Sequence, residues 1–232
     1  MKRVGLLGGM SWESSLFYYK AINEGVKAKL GGLHSAKIVM VSVDFEEIER
    51  LQHAGEWEKL SEILAKEASN IERAGADCLL ICTNTMHKVA PQIESKIDIP
   101  LIHIADATAK VLLKDGIKKV GLLGTAFTME QDFYKSRLQE HGLEVVIPDS
   151  KSRALVHSVI YNELCLGKCK VESKEAYLEI IKSLAKEGAE GVILGCTEIG
   201  MLVKESDTEV KLYDTTYIHA QSAVDFACGC NI

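Results

Sequence analysis

The chain has 232 residues, 47% apolar and 26% charged, with a net charge of −6 from 27 basic and 33 acidic residues. That balance suits a globular protein with a real core, and the basic residues are too scattered to neutralise a phosphate backbone, which argues against a nucleic-acid partner. The longest apolar runs, such as residues 78–82, fall far short of the roughly 20 residues that span a bilayer, and the stretch after Met1 is too short and glycine-broken for a signal peptide; the expected setting is cytoplasmic, with no membrane partner.

In chain order, apolar segments rich in β-branched residues at 4–7, 37–43, 78–82, 101–104, 120–123, 144–147, 191–194 and 210–213 read as buried strands. Amphipathic stretches lie between them. Residues 57–74 place Leu60, Ile63, Leu64, Ala68 and Ile71 near helical spacing and stop at Gly75, and residues 175–186 do the same and stop at Gly188. The alternation predicts parallel strands with crossover helices on both faces.

The chain repeats itself. Lys2-Arg3-Val4-Gly5-Leu6-Leu7-Gly8 recurs as Lys118-Lys119-Val120-Gly121-Leu122-Leu123-Gly124. Gly75-Ala76-Asp77, a strand and Cys82-Thr83-Asn84-Thr85 are echoed in the same order by Gly188-Ala189-Glu190, a strand and Gly195-Cys196-Thr197-Glu198. The expected architecture is therefore α/β, with two pseudo-symmetric Rossmann-like domains, each a mostly parallel sheet flanked by helices. The first such domain is expected to start the chain and the second to begin at residue 99. Ligands of such sheets bind beyond the carboxyl ends of the strands, so the site is expected in the interdomain cleft. The turns Gly8-Gly9-Met10-Ser11 and Gly124-Thr125-Ala126-Phe127-Thr128 sit at strand ends and suit a small carboxylate. Gly5-x-x-Gly8-Gly9 is not the dinucleotide fingerprint, and no phosphate-loop Gly-Lys-Ser/Thr follows.

Seven cysteines, at 78, 82, 165, 169, 196, 228 and 230, without a signal sequence favour reduced thiols, and their spacings lack the paired pattern of a structural zinc site, so no metal is expected. Registering the repeat on Gly75 and Gly188 pairs Thr83 with Cys196 and Cys82 with Gly195. Side chains alternate faces along a strand, so this register turns Thr83 rather than Cys82 toward a site and leaves Cys82 structural. Cys196 stands at a strand-to-helix turn beside Thr197 and Glu198, where a helix N-terminus is expected to favour the thiolate.

Gly8-Gly9-Met10, Thr83-Asn84-Thr85-Met86-His87 and Gly195-Cys196-Thr197-Glu198 together resemble the aspartate/glutamate racemase family of cofactor-independent amino-acid racemases, over essentially the whole chain. The nearest likeness is the bacterial branch of L-aspartate/glutamate-specific or broad-specificity amino-acid racemases with Thr at the first catalytic position. The resemblance implies racemisation of a free amino acid, aspartate, glutamate or a related polar one, without metal, pyridoxal or other cofactor. It also implies a homodimer, with the helix after Tyr213 returning to the first domain, so that residues 1–98 with about 214–232 make up the first domain and residues 99–213 the second. Inversion removes the α-hydrogen on one face and returns a proton on the other, which needs two groups. Cys196 and Thr83 are the implied catalytic pair, Cys196 acting on the L enantiomer. A free thiol ionises near ~8.5, whereas a threonine hydroxyl does not ionise near neutrality and needs a neighbour or water.

The same likeness implies substrate binding by Asn84, Thr85, Thr197 and Glu198, with the turn amides near Met10 and Thr125, and by Gln52. Asn84 and Thr85 are also good helix caps, and Arg50 and Gln52 also read as a solvated helix face. Cys165 stands where acidic-substrate relatives carry a lysine, which keeps neutral polar amino acids open. Other carbanion reactions on this scaffold, malonate decarboxylation or diacid isomerisation, and a non-catalytic amino-acid-binding protein are the alternatives. His87, His103, His157 and His219 read as hydrogen-bonded structural residues, and Trp12 and Trp57 as packing residues.

Overall fold

A computed structural model describes residues 1–229; Cys230, second of the closing cysteine pair, lies outside the described residues. The chain divides into two compact units, Met1–Ile104 with 216–229, and Ala105–Thr215. The first holds β1 (Arg3–Gly8), α1 (Trp12–Leu30), β2 (Lys37–Ser42), α2 (Phe45–His53), α3 (Trp57–Arg73), β3 (Cys78–Ile81), a 3₁₀ turn (Thr85–Val89) and α4 (Ala90–Glu94). α5 (Ile104–Lys114) then leads into the second unit, with β4 (Lys119–Gly124), α6 (Ala126–Glu130), α7 (Asp132–Glu140), β5 (Glu144–Val146), α8 (Ser150–Asn162), α9 (Val171–Lys186), β6 (Val192–Gly195), α10 (Ile199–Leu202) and β7 (Leu212–Asp214). α11 (Thr215–Ala227) returns the chain to the first unit.

Both sheets are wholly parallel, ordered β2-β1-β3 and β5-β4-β6-β7. Strand alternation sorts the first unit's core into two faces. Leu7, Leu79 and Ile81 pack with Leu60, Leu64, Ala68 and Ile71 of α3. Val4, Leu6, Cys78, Leu80 and Cys82 pack on the opposite face with Tyr18, Ile22 and Val26 of α1 and Ala220, Ala223 and Val224 of α11. The two predicted helices stop where the glycines require: Gly75 and Gly188 take φ of +87° and +94°, a region costly for any residue with a Cβ.

The sequence repeat is a structural one. Gly121 pairs with Val192 in β4 and β6 as Gly5 pairs with Leu79 in β1 and β3. Each β1-like strand is clasped at its start by a carboxylate from the repeated Gly-Ala-acid segment. Asp77 Oδ2 accepts the Arg3 N–H at 2.5 Å, and Glu190 Oε2 accepts those of Lys118 and Lys119 at 2.6 and 3.2 Å.

Three expectations need correction. Residues 101–104 do not form a strand: Leu101 makes one parallel bridge to Leu79, and Ile104 already opens α5. The ladder stops because the Ile102 carbonyl and the Ile104 N–H are taken by histidine side chains. Segments 37–43 and 144–147 are not buried strands, since β2 and β5 are sheet edges in which no residue is fully buried. Trp12 is not a packing residue but 64% exposed, whereas Trp57 does pack against the core and carries Lys88 Nζ 3.8 Å above its ring. Among the described residues no helix is long and apolar enough to cross a membrane.

Candidate active site

β3 delivers the chain to the first candidate turn. The Cys82 N–H donates to the Leu7 carbonyl at 2.9 Å and prolongs the ladder by one residue, so the Cys82 side chain stays within the core. Burial pushes this thiol far above its ordinary range, and Cys78 on the same face is pushed up to about 12, again mainly by burial. Thr83 follows, half-buried, its N–H bonded to the Ile81 carbonyl at 2.8 Å. Asn84 and Thr85 are buried at the start of the 3₁₀ turn, and the Asn84 side chain makes no capping bond there.

β6 delivers the second turn in the same register, as the repeat predicts. Gly124 pairs with Gly195, so Cys196 is the first residue past the strand, the position Thr83 holds after Cys82 in the first unit. The buried Cys196 Sγ donates to Glu198 Oε2 at 3.0 Å, and Thr197 Oγ1 donates to the same oxygen at 2.7 Å. Burial first, then the Glu198 carboxylate, with Cys165 adding to both, pushes the Cys196 thiol well above its ordinary range. The expected thiolate-stabilising helix end is absent in effect. α10 has four residues, too few for a dipole to offset burial and a neighbouring negative charge.

The remaining predicted residues spread over several elements. Met10, 4% exposed, packs its side chain into the core beside Ile48, Leu51 and Met86. Gln52 is buried on α2, not on a solvated face, whereas Arg50 is exposed. Thr125 is the N-cap of α6, its Oγ1 accepting the Thr128 N–H at 3.3 Å. Sequence reasoning passed over Ser14 and Ser15, which hold the first turn. Ser15 Oγ accepts the Gly9 N–H at 2.7 Å and donates to the Ser11 carbonyl at 2.9 Å, while Ser14 Oγ donates to the Cys82 carbonyl at 3.1 Å. Their only signal was two small hydroxyl residues in the first turn of an otherwise amphipathic helix. Three of these histidines, His87, His157 and His219, are hydrogen-bonded, His157 Nδ1 accepting the Ala126 N–H at 3.1 Å, and His103 is buried with its ring edge-on to that of His87. Among the described residues no group of three or more His, Cys, Asp or Glu side chains is placed to hold a metal ion.

Two parallel α/β units of one plan, one ending a strand in thiol and carboxylate and the other in hydroxyl and amide at the matching position, define a duplicated α/β enzyme. The chain belongs to the Asp/Glu/hydantoin racemase family, whose model matches residues 7–223. A candidate Asp/Glu racemase from Yersinia pestis is 53% identical, with 98% of this chain and 100% of that one covered at a TM-score of 0.92. An aspartate racemase homologue from Pyrococcus horikoshii OT3 is 37% identical, with the same coverages and a TM-score of 0.86. The broad specificity amino-acid racemase RacX of Bacillus subtilis (strain 168) is 22% identical over 170 residues, 72% of each chain.

Proposed function

We propose that the protein racemises a free polar amino acid, aspartate, glutamate or a near relative, by moving the α-proton without a cofactor. Cys196 serves one face of the substrate carbon and Thr83 the other. The observation that carries this reading is the 3.0 Å bond from Cys196 Sγ to Glu198 Oε2. A raised thiol is a poor base alone, but a carboxylate already holding its proton can take it. The thiol proton passes to Glu198, the thiolate takes the α-proton, and the carbanion receives a proton on its other face from the Thr83 hydroxyl, which is refilled by water or a neighbour; Glu198 then releases its proton to solvent, neutralising the base left behind and restoring the carboxylate. The steps run in reverse for the other enantiomer. Asn84, Thr85, Thr197, Gln52 and the amides near Met10 and Thr125 supply donors and acceptors for the substrate's carboxylate and amine. The working unit is proposed as a cytoplasmic homodimer.

Because enantiomers have equal free energy in water, a weak second group slows inversion in both directions without biasing the equilibrium. In deuterium oxide, the L enantiomer is therefore expected to exchange its α-hydrogen faster than D product accumulates. Cys196→Ala should abolish that exchange. Exchange that survives this substitution, or none with any amino acid in the parent enzyme, would sink the reading; the second result would favour a binding protein.

A further inference from the structure

The Thr83 turn is held by a side chain that has no ring nitrogen to spare for chemistry. His87 is 2% exposed, and both its nitrogens meet main chain: Nδ1 lies 2.8 Å from the Thr83 carbonyl oxygen, and Nε2 lies 3.2 Å from the Ile104 nitrogen. A backbone amide can only donate, so Nε2 accepts and the ring proton sits on Nδ1, donated to Thr83. The segment that His87 grips is fixed a second time. The Ile102 carbonyl lies 2.6 Å from His219 Nε2, and His219 Nδ1 lies 2.8 Å from the Tyr18 hydroxyl. His103 and His219 meet the His87 ring edge-on, with centroids 4.5 and 5.8 Å away, which limits its rotation.

We propose that His87 is a positioning residue for the Thr83 side of the reaction. Its neutral, Nδ1-protonated ring bridges the Thr83 carbonyl to the Ile104 amide and so sets where the Thr83 hydroxyl stands, without touching substrate. The assignment rests on the racemase reading. Hydroxyl placement matters because displacing a reacting group by about 1 Å can cost on the order of a hundredfold in rate.

Two substitutions separate the two bonds. His87→Asn keeps a donor where Nδ1 stands and gives up the Ile104 contact; His87→Gln keeps an acceptor near Nε2 and withdraws the donor from Thr83. α-Exchange in deuterium oxide is then followed from each enantiomer separately. His87→Gln is expected to slow exchange on the Thr83 side about tenfold to a hundredfold, through kcat rather than KM, with exchange on the Cys196 side unchanged. His87→Asn should restore most of the loss. Equal losses on both sides that track lowered thermal stability, or a His87→Gln enzyme that matches the parent, would overturn the assignment alone. A parent enzyme that exchanges neither enantiomer would overturn the racemase reading and this assignment with it. Ring nitrogen NMR of the unsubstituted protein checks the bridge even where a variant does not fold: a His87 ring protonated on Nδ1 only is expected, and an Nε2-protonated or cationic ring overturns it.

Discussion

The Cys196 thiol and the Glu198 carboxylate sit 3.0 Å apart with one proton between them, and Thr197 steadies the carboxylate oxygen that faces the sulfur. A negative charge at that distance disfavours a second one on sulfur, so it raises the thiol on top of burial. Glu198→Gln removes the charge and keeps the shape. The Cys196 thiol of the variant is expected to ionise at lower pH than in the parent, read as thiolate absorbance against matching Cys196→Ala controls. Turnover at neutral pH should fall by about a hundredfold or more, the usual worth of a positioned acid or base. A thiol that ionises at the same or higher pH in Glu198→Gln would remove Glu198 from its role. The sequence made Cys196 legible through its place at a strand end beside Thr197 and Glu198. The sign of the thiol's shift was not legible, because it depends on the sulfur facing a carboxylate two residues on and on α10 ending after one turn. Gln52 shows the same limit: its residue type left both a ligand contact and a solvated face open, and only the packing of α2 buries it.

Each central strand carries a glycine at the same point of the repeat, Gly5 in β1 and Gly121 in β4, where a helix crosses the sheet closely. A Cβ on Gly5 would stand 2.4 Å from Ile71 Cγ2 of α3 and 2.7 Å from the Cys78 carbonyl oxygen of β3. On Gly121 it would stand 3.0 Å from Leu184 Cδ1 of α9 and 3.1 Å from Val192 Cγ2, both side-chain ends that can give way. Gly5→Ala is therefore expected to cost about 1–3 kcal/mol as an overpacked core, and Gly121→Ala clearly less. Urea denaturation of the two variants measures the difference, and equal costs would mean that α3 and α9 approach their sheets alike. The helices on these strands were legible because Leu60, Leu64, Ala68 and Ile71 recur at helical spacing and Gly75 ends the run. Segment 101–104 was not, because its apolar residues have a strand's pattern while its Ile104 N–H and Ile102 carbonyl go to His87 and His219, partners distant in sequence. Edge position was hidden for a similar reason: β2 is richer in Val and Ile than β1, and only the sheet order leaves it half-exposed.

At the scale of the chain, the duplication extends to register and to the carboxylate clasps, but not to the end of the chain, where α11 leaves the second unit and completes the core of the first. That return carries His219 into an apolar layer where Tyr18 and Ile102 use both ring nitrogens, so the ring is stable there only as the neutral form. Burial, reinforced by His87 and opposed by the bond to the Ile102 carbonyl, pulls its pKa down to about 3, against about 6.5 in an unfolded chain. Between these values the unfolded state holds one more proton than the folded one, so folding stability rises with pH across that window and is lost as pH falls from 6.5 toward 3. The half-buried carboxylates held low by hydrogen bonds and cations, such as Glu163 and Asp207, act further down; their unfolded values are 4.5 and 3.8, and they lose their contribution only below those. His219→Gln keeps a donor for Ile102 and cannot ionise. Urea midpoints at several pH values between 6.5 and 4.5 should show the parent losing up to about 1.4 kcal/mol per pH unit more than His219→Gln, whose overall stability is lower but whose slope is flatter. Parallel slopes would mean that His219 is protonated as easily in the folded protein as in the unfolded chain, and that α11 does not hold it as a buried neutral ring.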